Sequence, residues 1–260
     1  MAEKALTKPK KDFSKRIFEL DALRGLAILL MSLFHLVFDL QAYFGVPVEI
    51  HAGPWFYVGR SSAILFMLIS GASSTLGGRS IRRGLMVLGA ALLVTVASIP
   101  MMGEYYIRFG ILHFFAAMMI LKGLADMAIK NHTLRLILAF VMVPVSFVLG
   151  NLFKGITVDT PLLIPFGLLP PGWGSFDYYP IFPWAGVFCL GVGAGLLLYK
   201  SCKSLIPLNI YAPRQNPAAK AGTGVLRGLC LLGRHSLLIY LLHQPLILGI
   251  LYLIFWLVRM

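Results

Sequence analysis

The chain has 260 residues, of which 58% are hydrophobic and only 13% charged. So little charge cannot cover the surface of a water-soluble domain of this size, which excludes an ordinary soluble fold. The formal net charge of +13 would suit a nucleic-acid binder. However, the basic residues fall in short segments between apolar runs, and no zinc-finger, RNP or basic-helix pattern is present.

The apolar residues run in stretches of about 18 to 22, the length that crosses a hydrocarbon core of about 30 Å as a helix. The short alternating segments of a membrane β-barrel are absent. The expected fold is an all-α integral membrane protein, a bundle of about seven transmembrane helices with a cytoplasmic N-terminus. Residues 1–21 form a basic tail, and 22–260 form a single transmembrane domain. The spans are expected at about 22–43, 58–76, 84–101, 109–128, 134–153, 180–199 and 233–256. The first does not read as a clean signal peptide, because it follows a polar stretch, exceeds an h-region and contains His35 and Asp39.

An ionisable group inside a span costs several kcal/mol on insertion scales, so the search for function starts with such groups. In the first span His35 and Asp39 are four residues apart and share a helix face. The carboxylate can orient the imidazole, or the two can bridge helices. His51 lies in the loop before the second span, as a proton carrier or as a plain surface histidine. Arg60 opens the second span and Arg108 the fourth, with His113 five residues on. They either snorkel to the interface or hold an anionic or sugar substrate. Asp177 stands among aromatics before the sixth span, which contains Trp184. The last span opens with Arg234 and carries His243 beside Pro245, a kinking position. The cysteines Cys189, Cys202 and Cys230 show no ligand spacing, so neither a metal nor a disulfide framework is expected.

Loop charge orients these spans. The tail at 4–16 and the loops near 79–83, 130–135 and 200–227 are basic and fall on one side, the cytoplasmic one by the positive-inside rule. The loops at 45–57, 102–108 and 154–179 fall on the other side and carry Glu49, Glu104, Asp159 and Asp177 against Lys154 and Arg108. Within the inner loop, residues 203–224 carry Pro207, Pro213 and Pro217 and no sustained apolar period, so they read as a flexible connection. The outer loop at 154–179 is proline-rich with Trp173 and Phe176 and reads as structured. Asp39, His51, Arg60, Arg108, His113 and Asp177 then map to the outer half. Arg24, Arg82, Arg83, Arg227, Arg234 and His235 map to an inner rim.

Four ordered stretches carry a resemblance. The run from Glu19 through Leu20-Asp21-Ala22-Leu23-Arg24-Gly25 to Ala27, leading to Phe34-His35, resembles the first span of the membrane acyltransferases related to heparan-α-glucosaminide N-acetyltransferase. Phe109-Gly110-Ile111-Leu112-His113-Phe114, Asp177-Tyr178-Tyr179-Pro180 through Trp184, and Gly233-Arg234-His235-Ser236 through Tyr240 to Pro245 resemble its bacterial branch. The resemblance implies a multi-pass enzyme that moves an acetyl group from cytoplasmic acetyl-CoA to an amino sugar or envelope glycan. The expected location is the bacterial cytoplasmic membrane, and a homodimer is one arrangement the sequence leaves open. The resemblance also implies a catalytic histidine near the outer end of the first span. His51 matches that position, while His35 stands where the lysosomal relative has an asparagine, so both remain candidates.

On this reading His51 or His35 acts as general base or as acyl carrier, with Asp39 orienting His35. Arg24, Arg82, Arg83 and Arg234, with His243, hold the acetyl-CoA. Arg60, Arg108, His113, Asp177 and Trp184 hold the acceptor. The rivals are a proton-coupled transporter or flippase, against which stands the lack of an inverted repeat, and a seven-helix sensor that binds without turnover.

Overall fold

The computed structural model describes residues 17–206 and 217–258. The basic tail at 4–16 lies outside them. Eight α-helices are formed: α1 Phe18–Phe44, α2 Gly53–Ser74, α3 Ser80–Met102, α4 Ile111–Ala128, α5 His132–Phe153, α6 Ile181–Leu198, α7 Pro217–Arg234 and α8 Ser236–Val258. Among the described residues β-structure is limited to isolated bridges. All but α7 are long and apolar enough to cross a membrane, which gives the seven expected spans.

The local chemistry sets the helix ends. α1 starts at Phe18, four residues before the expected 22, because Glu19 and Asp21 in its first turn complement the helix dipole. It stops at Gly45, whose φ of 69° lets its N–H turn back to the Leu40 carbonyl. α2 starts at Gly53, earlier than the expected 58, with Pro54 in a first turn that needs no N–H from it. Asn131 caps α5 by accepting the Leu134 N–H at 3.0 Å.

Burial divides the helices into two groups. α2, α4 and α6 each bury 44% of their apolar window, whereas α5 buries 11% and α3 and α8 17%. The first three therefore form the interior, and the others turn leucine and valine to lipid. In the middle Met67, Phe114 and Phe188 are fully buried, and Phe114 meets Phe188 edge-on. α2 and α6 cross almost in backbone contact. A Cβ on Gly71 would stand 2.1 Å from the Phe188 carbonyl oxygen, and one on Gly191 would stand 2.2 Å from that of Leu68.

Part of the connection expected at 203–224 to be flexible is helical instead. Residues 207–216 lie outside the described residues, but Pro217–Arg234 form α7. Leu226, Leu229, Cys230 and Gly233 recur at three- and four-residue spacing and pack on the first turns of α1 beside Phe18 and Ala22. α7 thus covers the start of α1 and delivers the chain to α8, which runs alongside α1 from His35–His243 to Phe44–Phe255.

Contacts between helix ends gather basic side chains at one end of the bundle. Lys122 at the end of α4 reaches the Ser74 carbonyl at the end of α2, and Arg24 reaches Ser73. At the opposite end, the loop between α5 and α6 is structured. Phe176 N–H and Tyr179 N–H bond to the Tyr105 and Phe109 carbonyls, both at 3.1 Å. This docking fixes Asp177 between α3, α4 and α6.

Candidate functional site

One cavity of about 1290 Å³ runs the length of the bundle, walled by α1, α2, α3, α4 and α8, by Arg234 at the end of α7, and by the segments between helices that hold His51, Asp177 and Cys202. Single-ligand pockets span roughly 300–1,000 Å³, so this one has room for two reactants at once. Its polar groups stand at three levels.

The first level is the arginine-rich end. Asp21 is buried and sits between two guanidinium groups, 3.4 Å from Arg24 Nη1 and 3.4 Å from Arg234 Nε. Arg24 also donates to Ser73 Oγ at 2.7 Å. Arg83 and Cys202 complete this wall. Three arginines over one carboxylate leave a surplus of positive charge at the cavity mouth, and Asp21 holds two of them in place. Such a rim fits the phosphates of a nucleotide-type ligand, for which fixed guanidinium groups are well suited.

About 16 Å further along α1 from Arg24, at ~1.5 Å per residue, comes the second level. The His35 and His243 rings lie 4.9 Å apart, and both line the cavity. His243 Nδ1 is 2.6 Å from the Tyr240 carbonyl, which can only accept, so Nδ1 carries the proton. His243 Nε2 and His35 Nδ1 are buried without a hydrogen-bond partner. Asp39 is fully buried behind them, outside the cavity wall. It was expected to orient His35, but its partner is Gln244, which donates to Oδ1 at 2.6 Å. The four-residue spacing gave a shared face correctly, but α8 then supplied a nearer donor for the carboxylate.

The third level is the loop-covered end. Asp177 Oδ2 accepts the Ile111 N–H at 3.0 Å, capping α4. Burial pushes the Asp177 carboxyl up to about 6, against the opposing pull of that hydrogen bond. Tyr179 beside it is pushed up to about 12, by burial first and then by the Asp177 charge, with Arg60 acting the other way. Arg60 lies over the Phe56 and Trp184 rings at 5.3 and 5.1 Å. His51 lines the mouth and is exposed, and its backbone N–H bonds to Glu49.

The cavity therefore gathers Arg24, Arg83, Arg234, His35, His243, His51, Arg60 and Asp177. Arg82, Arg108, His113 and Trp184 lie off its wall. His113 braces the start of α4: Nδ1 accepts from Gly110 N–H, and Nε2 faces Thr95 Oγ1, whose own proton goes to the Ile107 carbonyl. Both ring nitrogens are thus engaged in structure. Arg108 stacks on Tyr106 and donates to the Glu104 carbonyl. His243, expected with the donor-binding arginines, sits beside His35 instead. Asp21, Ser73 and Gln244 were not singled out as site residues. Asp21 had a readable signal, standing three residues before Arg24 on one helix face, whereas Gln244 had none beyond its place in an apolar span.

The family model described as heparan-alpha-glucosaminide N-acetyltransferase, catalytic, matches residues 16–245. That range runs from the start of α1 to the proline within α8. No curated protein and no solved structure matches the chain.

Proposed function

This chain belongs to the heparan-alpha-glucosaminide N-acetyltransferase catalytic family, and from that premise we propose that it moves an acetyl group from acetyl-CoA to an amino sugar or envelope glycan. The donor enters at the arginine-rich end and the acceptor at the Asp177 end. The observation that carries this reading is the continuous cavity, with its arginine rim at one end and the His35–His243 pair at mid-depth. With the basic loops inside, the donor side is the cytoplasm of a bacterial cell whose cytoplasmic membrane holds the chain.

Arg24, Arg83 and Arg234 would hold the donor's phosphates, and bound acetyl-CoA supplies an activated thioester. His35 takes the proton from the attacking amine or hydroxyl, a role worth about 10²–10⁴ in rate. His243, its Nδ1 fixed on the Tyr240 carbonyl, sets the position of the His35 ring. Asp177, Tyr179 and Arg60 offer the acceptor a carboxylate, a phenol and a cation held over aromatic rings.

The test is transfer of radiolabelled acetyl groups in proteoliposomes. His35→Ala is expected to lower transfer about 10²-fold or more, and His51→Ala to leave most of it. A large loss in His51→Ala alone moves the base to the cavity mouth. Full activity in both variants ends the histidine mechanism, and substrate passage without labelled product establishes a transporter.

A further inference from the structure

Acyl transfer needs a hydrogen-bond donor as well as a base. As an amine nitrogen attacks a thioester carbon, a C–N bond forms and an electron pair of the C=O bond moves onto oxygen. Donors aimed at that oxygen stabilise the charge, and losing one typically costs about 10²–10³ in rate. The histidine pair does not supply such a donor. His243 keeps its proton on Nδ1, against the Tyr240 carbonyl, so its Nε2 only accepts. His35, acting as base, must also present a bare nitrogen.

Other donors along the cavity are engaged or stand at its ends. The Ser62 and Ser98 hydroxyls donate to the Ala27 and Thr95 carbonyls at 2.9 and 2.8 Å. Gln244 Nε2 is turned to Asp39. Ser70 stands one turn from Ser73, and Ser236 opens α8 just after Arg234, so both belong to the arginine end. Tyr43 closes α1, and Tyr179 adjoins Asp177, both toward the opposite end.

Tyr240 differs from all of these. It lines the cavity, and its ring lies 5.5 Å from that of His243. Its hydroxyl makes no hydrogen bond among the described residues and is not sealed from the cavity. On α8, which starts at the arginine end, Tyr240 comes three residues before His243. It therefore stands about 4.5 Å to the donor side of the histidine pair, at ~1.5 Å per residue. Helical side chains lean toward the N-terminus, which carries the phenol further that way. A thioester arriving from the arginine rim meets this phenol before the imidazoles.

We infer that Tyr240 is a catalytic residue whose phenol donates a hydrogen bond to the thioester carbonyl oxygen while His35 takes the proton of the attacking amine. The inference rests on the acetyl-transfer reading above. When the pair on oxygen returns to reform C=O, the C–S bond breaks and the proton held by His35 passes to the departing sulfur. Tyr240 keeps its own proton throughout. One residue then serves the site twice, its backbone carbonyl fixing His243 and its phenol meeting the oxygen.

The experiment compares the full-length wild type with Tyr240→Phe in proteoliposomes, using labelled acetyl-CoA and glucosamine. The variant keeps the ring and the backbone carbonyl and loses only the O–H. Its kcat is expected to fall about 10²–10³-fold. KM for both substrates should be unchanged, because the lost bond forms only in the transition state. The pH profile of kcat should keep its shape, because the phenol transfers no proton. Acetyl-CoA should raise the Tm of both proteins equally, as it does when folding and donor binding are intact. A kcat within about threefold of wild type overturns the role of Tyr240 and leaves acetyl transfer standing. A loss carried by the KM for acetyl-CoA does the same, since it marks ground-state binding. So does a limb missing from the variant's pH profile, which marks proton transfer by the phenol, or a variant that acetyl-CoA no longer stabilises. Absence of label transfer by wild type removes both readings.

Discussion

At the scale of single residues, Asp177 shows how a polar group among aromatics acquires its role. The sequence marks it as an unusual acid before a span. Its partner, the Ile111 N–H, is 66 residues away and could not be inferred from that context. Burial raises its carboxyl to about 6 from the usual carboxylate range, so the folded protein favours the protonated form. The stability this group contributes is therefore complete below about pH 4 and is lost as the pH rises through about 6. A shift of about two pKa units caps the effect at roughly 2–3 kcal/mol. Asp177→Asn removes that dependence while keeping an acceptor for Ile111. The difference in Tm between wild type and variant is thus expected to shift against wild type from pH 4.5 to 7.5. A difference that stays constant over this range would mean the carboxyl is not desolvated. The mid-depth pairs show the same limit of sequence reading. His35 and Asp39 were legible as one polar face, but His243 and Gln244, which meet them, are brought there only by the fold.

At the scale of elements, hydropathy resolved the seven spans because each is a long uninterrupted apolar run, and it missed α7 because that helix is not one. Its apolar residues are interleaved with Lys220, Gly224 and Arg227, and a proline-rich stretch precedes it. The three- and four-residue spacing of Leu226, Leu229, Cys230 and Gly233 was the available signal. What seats α7 is closeness to α1. A Cβ on Gly25 would stand 2.0 Å from the Leu229 carbonyl oxygen, and one on Gly233 would stand 1.8 Å from that of Asp21. Both obstacles are backbone, so relief requires the helices to separate. Gly25→Ala and Gly233→Ala are each expected to destabilise the protein by about 1–3 kcal/mol, read as a lower Tm. They should also expose Cys230, which is fully buried and whose thiol is pushed up to about 11 by burial and by the nearby Asp21 and Glu19 charges. Maleimide labelling followed by mass spectrometry is expected to find Cys202 modified in every variant and Cys230 modified only when a glycine is replaced. If Cys230 stays unreactive and Tm is unchanged, the close contact does not hold α7.

At the scale of the whole molecule, the arrangement is a bundle whose ends differ chemically and whose interior connects them. The loop charges made that polarity readable, because orientation is written in short basic segments. The cavity itself was not readable, since its wall is assembled from several helices and the segments that connect them, most of it ordinary core residues. Its direction of use can be tested with a cysteine already in place. Cys202 is exposed and lines the cavity at the arginine-rich end. A donor held by Arg24, Arg83 and Arg234 would lie across it. Saturating acetyl-CoA is therefore expected to slow maleimide modification of Cys202 several-fold, as occupancy of a site excludes a competing reagent. Arg83→Gln, which leaves the Asp21 ion pairs untouched, should weaken that protection, and His35→Ala should keep it, because His35 stands some 16 Å deeper at ~1.5 Å per residue from Arg24. An impermeant maleimide applied to sealed vesicles would reach Cys202 only in molecules whose arginine end faces outward, and those same molecules should be the ones that turn over external acetyl-CoA. Turnover with no protection of Cys202 would mean that the donor enters elsewhere, and the rim would then be a membrane-facing charge belt. Protection that follows the arginines but survives loss of the histidine would separate donor binding from chemistry along the axis of the bundle.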